Sequence, residues 1–201
     1  MAQDDSRPAG SLSRRTFLGA SGATAALLPV LGANAAPSAP VTLGPGEVAL
    51  ELELNGKRIS TLTEPRETLA DVLLYRLELT GTKVACDRGA CGSCTVLVDG
   101  HPRSACMTPA LDVAGHEVTT IEGLGQTGRP GAHRIQAALL DADGLQCGYC
   151  TPGFVVSAYA LLERNAHPTK AEIMDALSGN LCRCGSHPHI IDAITRVAAK
   201  P

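Results

Sequence analysis

The sequence predicts an α+β chain in two parts, a small mixed unit of strands and a helix followed by a compact helical domain. Three observations predict it. Apolar residues fall on alternate positions from Val48 to Leu54, the period of a half-buried strand. From about Arg129 onward they recur at helical spacing instead. The eight cysteines divide evenly between the two parts.

Residues 1–35 read as an address. Ser13-Arg14-Arg15-Thr16-Phe17-Leu18 is a twin-arginine pattern, followed by a weakly apolar stretch to Leu31 that is interrupted by Gly19, Gly22 and Pro29. Ala33-Asn34-Ala35 closes it with a small-x-small cleavage pattern. This predicts export of the folded protein to the periplasm by the twin-arginine (Tat) machinery, with no membrane span after cleavage. It also weakens the disulfide reading of an even cysteine count, because the thiols are still reduced when the chain folds in the cytoplasm.

Residues 36–46, with Pro37, Pro40, Gly44 and Pro45, are expected to form a flexible leader. Val48–Leu54 and Lys57–Leu62 are predicted as strands of a hairpin turning at Asn55-Gly56. Thr68–Leu79 carries Leu69, Val72, Leu73 and Leu77 at helical spacing, with Gly81 as its C-cap. A glycine-rich loop from Cys86 to Cys94 follows. Thr95–Val98, Asp99-Gly100 and Arg103–Met107 predict a second hairpin, and Val118–Ile121 a last strand. The first domain is thus 47–122 and the second 123–201, joined by a glycine-rich stretch from Glu122 to Gly131. Helices are predicted at 132–140, 154–163, 171–177 and 190–199, with Thr151-Pro152 and Pro168-Thr169 as helix starts.

The first cysteine set is Cys86, Cys91, Cys94 and Cys106. C-x4-C-x2-C with a fourth cysteine downstream is plant-type [2Fe–2S] spacing. Gly89 and Gly92 let so tight a loop wrap a small anion and turn its N–H groups toward sulfur. The second set is Cys147, Cys150, Cys182 and Cys184. C-x2-C with a distant C-x-C is compatible with zinc or with an iron–sulfur cluster. Zinc in both sites and four disulfides are the competing readings; C-x4-C-x2-C is unusual for zinc, and C-x-C cysteines are poorly placed to bridge each other. Net charge is −3 with no basic run, so no nucleic-acid partner is expected.

Four motifs carry a resemblance: Gly81-Thr82-Lys83 leading into Cys86–Val96, Thr120-Ile121-Glu122-Gly123-Leu124, Gln146–Gly153, and Ser178–Cys184. Together the chain resembles the small iron–sulfur subunit of the xanthine oxidase family of molybdenum hydroxylases. The resemblance implies a β-grasp ferredoxin-like domain and a four-helix domain, each with one [2Fe–2S] cluster. It implies a large partner subunit holding molybdopterin, in bacteria usually in the cytosine dinucleotide form; the final acceptor, a flavin subunit, a cytochrome or a soluble carrier, is left open by the sequence. It places Gln146 and Cys184 at the pterin edge, with electrons entering at Cys184 and leaving from the cluster on Cys86, Cys91, Cys94 and Cys106. After Cys184 the chain has Gly185-Ser186-His187-Pro188-His189 where many relatives have Thr-Gly-Tyr, which resembles the bacterial two- or three-subunit aldehyde and N-heterocycle oxidoreductases more than the single-chain xanthine enzymes.

No catalytic dyad or triad stands out. His187 and His189 are expected as capping or surface residues; His101, His116, His133 and His167 as loop or surface residues; and Glu122 as a polar join residue. Arg183 lies between two cysteines, to neutralise charge or to meet a partner. The alternative function is a free-standing double-cluster ferredoxin-type shuttle. Gly148-Tyr149 and Phe154-Val155-Val156 are expected to form an apolar interface that favours the fixed partner.

Overall fold

β1 (Val48–Leu54) folds back on β2 (Lys57–Thr63) through Asn55-Gly56. Both turn residues have positive φ, 53° and 77°, as a two-residue hairpin turn with right-handed strand twist demands. Leu50, Leu52 and Leu54 are buried while Glu51 and Glu53 face solvent, the alternation seen in the sequence. The structure, a computed structural model, describes residues 42–126 and 130–199. The expected signal peptide therefore lies outside the described residues. Of the expected leader, residues 42–46 are exposed and carry neither strand nor helix.

The helix predicted over Thr68–Leu79 forms only in part. Thr68 and Asp71 make a capping box, with the Asp71 N–H donating to Thr68 Oγ1 at 3.2 Å and the Thr68 N–H to Asp71 Oδ2 at 2.9 Å. After α1 (Leu69–Asp71) the chain widens into π-helical turns over Val72–Arg76, and the Leu77 N–H reaches back to the Val72 carbonyl at 3.0 Å. The left-handed residue that follows is Glu78, φ 55°, so Gly81 is not the cap. Gly81 is needed for close approach: a Cβ there would lie 2.4 Å from Ile121 Cγ2, and its N–H donates to Glu122 Oε1 at 2.8 Å.

β3 (Thr95–Val98) and β4 (His101–Ser104) form the second hairpin. β4 is shorter than expected and gives way to a 3-10 turn, Ala105–Met107, so Cys106 sits on that turn and not on a strand. β5 (Glu117–Thr119) inserts between the hairpins, parallel to β1 and antiparallel to β3, for the order β2-β1-β5-β3-β4. Ile121, predicted at the end of that strand, instead opens α2 (Ile121–Gln126), so the expected glycine-rich join begins as a helix. Glu122 is more than a polar join: it accepts from the Gly81 N–H and, through Oε2, from Thr120 Oγ1 at 2.6 Å.

The remaining helices are α3 (Pro130–Asp141), α4 (Thr151–Arg164), α5 (Lys170–Ala176) and α6 (His187–Ala198). Pro152 in the first turn of α4 and a Thr169–Glu172 capping box at α5 start them where the sequence placed the starts. Two cores result. Leu50, Leu52, Leu69, Val72, Leu73, Val96 and Val118 fill the sheet core, together with Cys94 and Cys106. Ile135, Leu139, Phe154, Ile173, Ile190 and Ile194 fill the helical one. β3 serves both, because consecutive strand residues point to opposite faces: Val96 goes to the first core and Leu97 to the second. Phe154, Val155 and Val156 are all buried in α4. The expectation that they form a partner interface therefore fails; they are core.

Candidate metal centres

The first set is built on a loop with three left-handed residues, Asp87, Gly89 and Gly92. This folds Cys86, Cys91 and Cys94 around the 3-10 turn that carries Cys106. The Gly89 N–H donates to Cys106 Sγ at 3.4 Å and the Ala90 N–H to Cys86 Sγ at 3.3 Å. Any Cβ on Gly89 would come within 3.0 Å of Met107 Cγ. The Arg88 amide, and after it the Cys91 side chain, lower Cys86 to about 7. Burial, with Cys106 alongside, pushes Cys94 up to about 11.

The second set is assembled from two helix ends. Cys147 and Cys150 lie in the turn before α4, and Cys182 and Cys184 in the loop before α6. Gly148 and Gly185, φ 77° and 82°, allow the two turns. Both helices thus open at the cysteines, where their unpaired N–H groups favour negative charge. Cys147 and Cys184 bring their sulfurs to 3.5 Å. The Tyr149 amide, then Cys184, hold Cys147 below the usual thiol range. Burial, then Cys182, pushes Cys150 up to about 12. Burial also raises Cys182, but the Ser186 amide, the Cys150 side chain, the Cys184 amide and the Ser186 hydroxyl together outweigh it. Among the described residues no three His, Cys, Asp or Glu side chains close on one point as a single-ion site requires.

The Cys86–Cys94 loop thus lies beside the turn that carries Cys106, and Cys147 meets Cys184 across the two loops before α4 and α6. Gln146 stands exposed next to Cys147. What the sequence did not show is how closely the foursomes abut. The Leu181 N–H donates to the Cys91 carbonyl at 2.9 Å, joining the segment of Cys182 to that of Cys91. Asn180 Nδ2 donates to the Gly92 carbonyl at 3.1 Å in a buried bond. Gly153 presses against the same carbonyl, where a Cβ would sit 2.1 Å from the oxygen. The Tyr149 hydroxyl donates to the Val84 carbonyl at 2.7 Å. A cleft of about 430 Å³ opens between Ala85 and Cys91 on one side and Cys147, Cys150, Leu181 and Cys182 on the other. The glycines flanking both sets were the available signal, but nothing local said which glycine meets which loop.

The histidines do structural work. His187 Nε2 pairs with the Asn180 carbonyl at 2.9 Å and its ring meets Phe154 edge-on at 5.4 Å. His189 Nδ1 pairs with the Ala142 carbonyl at 2.9 Å, His167 Nδ1 with that of Ala198 at 3.0 Å, and His116 Nδ1 with Asp99 at 2.6 Å. The side chain of His133 lies outside the described residues. Arg183 is exposed.

Comparison with known proteins agrees with this arrangement. Residues 51–128 match the 2Fe-2S iron-sulfur cluster binding domain, and residues 120–195 the [2Fe-2S] binding domain. The aldehyde oxidoreductase iron-sulfur-binding subunit PaoA of Escherichia coli (strain K12) is 42% identical over 207 residues, covering 94% of this chain and 90% of that protein. The nicotine 6-hydroxylase small subunit of Paenarthrobacter nicotinovorans is 44% identical, covering 73% of this chain and 87% of that one. Among solved structures, quinoline 2-oxidoreductase from Pseudomonas putida 86 superposes with a TM-score of 0.71 at 41% identity, covering 76% of this chain and 93% of the matched chain. The chain belongs to the small iron–sulfur subunits of the xanthine oxidase family of molybdenum hydroxylases.

Proposed function

We propose that this chain is the electron-transfer subunit of a periplasmic molybdenum-cofactor hydroxylase of the aldehyde or N-heterocycle class. In this reading it carries electrons from the molybdopterin of a large partner subunit to an external acceptor. One observation carries it: two loops of four cysteines each lie against one another, with Gly89 donating to Cys106 in the first, Cys147 meeting Cys184 in the second, and Leu181 bonded to Cys91 between them. Such a donor set fits a two-iron cluster, in which each iron takes two thiolates. Cys86, Cys91, Cys94 and Cys106 would hold one [2Fe–2S] cluster, and Cys147, Cys150, Cys182 and Cys184 the other. When bound, each cluster supplies a one-electron redox couple.

The chain's own residues do the rest. Backbone N–H groups at Gly89 and Ala90, and the first turns of α4 and α6, offset the negative charge of the thiolates. Burial of Cys91, Cys94 and Cys106 keeps water from the first site. The Leu181–Cys91 hydrogen bond fixes one site against the other. The five-stranded mixed sheet with α1 across it supports the β-grasp reading of 47–122, and α3 to α6 the four-helix reading of 123–201. The exposed Tyr149 and Leu181 beside the second set support docking of the partner there, in place of the buried Phe154–Val156. On that face Gln146 and Cys184 would approach the pterin, in the cytosine dinucleotide form. A flavin subunit or cytochrome would be the acceptor from the first cluster.

Visible absorption, iron content and EPR of the purified chain test the core of this reading. Two separate reduced [2Fe–2S] signals and four irons per chain are expected; a colourless, iron-free protein sinks it. A stable, active protein that never co-purifies with a molybdopterin subunit would favour the free shuttle. Replacing Arg14 and Arg15 by lysine should strand both subunits in the cytoplasm, and continued export would refute the twin-arginine route.

A further inference from the structure

We propose that Tyr149 is a positioning residue for electron transfer between the two clusters: its hydroxyl clasps the second cysteine loop to the first and sets the spacing between them. The inference rests on the cluster reading above. Tyr149 lies between Cys147 and Cys150, and its hydroxyl donates at 2.7 Å to the carbonyl of Val84, two residues before Cys86. The bond joins positions 65 residues apart. Gly148, φ 77°, makes the turn from which the ring departs. Tyr149 is 46% exposed, so water is at hand for its hydroxyl, yet the hydroxyl is spent on a main-chain carbonyl of the first domain. A rigid ring with a polar tip and only two rotatable bonds spans such a gap with little loss of freedom.

The other hydrogen bonds between the loops fall elsewhere. Leu181 N–H on the Cys91 carbonyl and Asn180 Nδ2 on the Gly92 carbonyl both come from the segment just before Cys182. They hold the Cys182–Cys184 half of the second set. Among the described residues, the Cys147–Cys150 turn has no hydrogen bond to the first domain other than the one from Tyr149. That bond crosses the cleft of about 430 Å³, from the wall that carries Cys147 and Cys150 to the wall that carries Ala85 and Cys91. A functional group is held in place by supporting side chains that are themselves fixed, and electron transfer slows steeply as the gap between two centres widens. Without the hydroxyl the four thiols keep their own loop, but the Cys147–Cys150 turn is free to swing away from the first loop.

The test uses the full chain with both clusters loaded, as the native protein and as Tyr149→Phe, Tyr149→Leu and Tyr75→Phe. Tyr75 is 76% exposed and serves as the control. Two reduced clusters held close together split or broaden each other's EPR signals, and the interaction weakens as they separate. The native protein and the Tyr75 variant should show it at equal strength, Tyr149→Phe should show it weakened, and Tyr149→Leu at least as weak. Amide exchange in the Cys147–Cys150 turn should rise about fivefold in Tyr149→Phe, the factor that one hydrogen bond contributes, while the Leu181 amide keeps its native rate. An unchanged interaction in both Tyr149 variants, or unchanged exchange in the turn, overturns the proposal. So does a native protein whose fully reduced clusters do not interact. A shifted potential of the second cluster with the interaction unchanged marks an electronic role and overturns it as well. Absence of iron–sulfur absorption from the native protein is a separate result, since it removes the cluster reading itself and the proposal with it.

Discussion

The two cysteine foursomes reach similar geometry by opposite routes. The first is a single wrapped loop closed by a 3-10 turn, with Cys94 and Cys106 packed into the sheet core. The second borrows the ends of two helices, and none of its four cysteines is buried as deeply. Each nevertheless contains thiols held low and one pushed high: Cys86 against Cys94 in the first, Cys147 and Cys182 against Cys150 in the second. The lesson is that a loop can be its own scaffold when glycine supplies the turns, whereas helix ends need a neighbour to hold them. For the second foursome that neighbour is the first, through Leu181 on Cys91 and Asn180 on Gly92.

The comparison can be broken most severely at Gly153. Its substitution by alanine drives a Cβ into the Gly92 carbonyl, and because the obstacle is backbone, a destabilisation of about 3 kcal/mol is expected. Denaturant unfolding measures it, and iron analysis should show greater loss from the second site than from the first. Asn180→Ala comes next. It removes one donor from the Gly92 carbonyl, which keeps the Thr95 hydroxyl and N–H, and should cost about 1 kcal/mol, the net worth of one hydrogen bond, read from the unfolding midpoint.

A smaller effect sharpens the comparison within each foursome. In metal-free protein at neutral pH, a thiol alkylating reagent should modify Cys86 and Cys147 first and Cys94 and Cys150 last, as followed by peptide mass mapping. Lower pH should slow the first pair, since only the thiolate reacts. The smallest effect serves as a control far from both sites. Burial would raise Glu67, but the Glu64 N–H, the Thr63 hydroxyl and Arg76 outweigh it and hold its carboxyl below the ordinary value. A lowered folded value means that its contribution is present above the unfolded value, about 4.3, and is lost as pH falls through the folded one. Glu67→Gln should therefore flatten the acid limb of the stability profile slightly and leave both potentials unchanged.

How much of this was legible in the sequence differed between the foursomes for the same reason. The first was readable because its turns and three of its cysteines lie within nine residues, and local spacing encodes local geometry. The second needed its surrounding motifs, because Cys150 and Cys182 are separated by two helices. The misplacement of Cys106 and of Gly81 had a related cause. A 3-10 turn and a π-helical turn leave nearly the same apolar pattern as the strand and helix they replace.

By itself the sequence determined the β1–β2 hairpin through Asn55-Gly56, the starts of α4 and α5, the division of the cysteines and the family. These rest on backbone preferences and spacings that operate within a few residues. Only the tertiary structure decided that β5 lies between β1 and β3, that Phe154, Val155 and Val156 are core and not interface, and that Asn180 reaches the Gly92 carbonyl. Each of these depends on which distant surface is left to be covered once the local elements have formed, and no local pattern of residues carries that information.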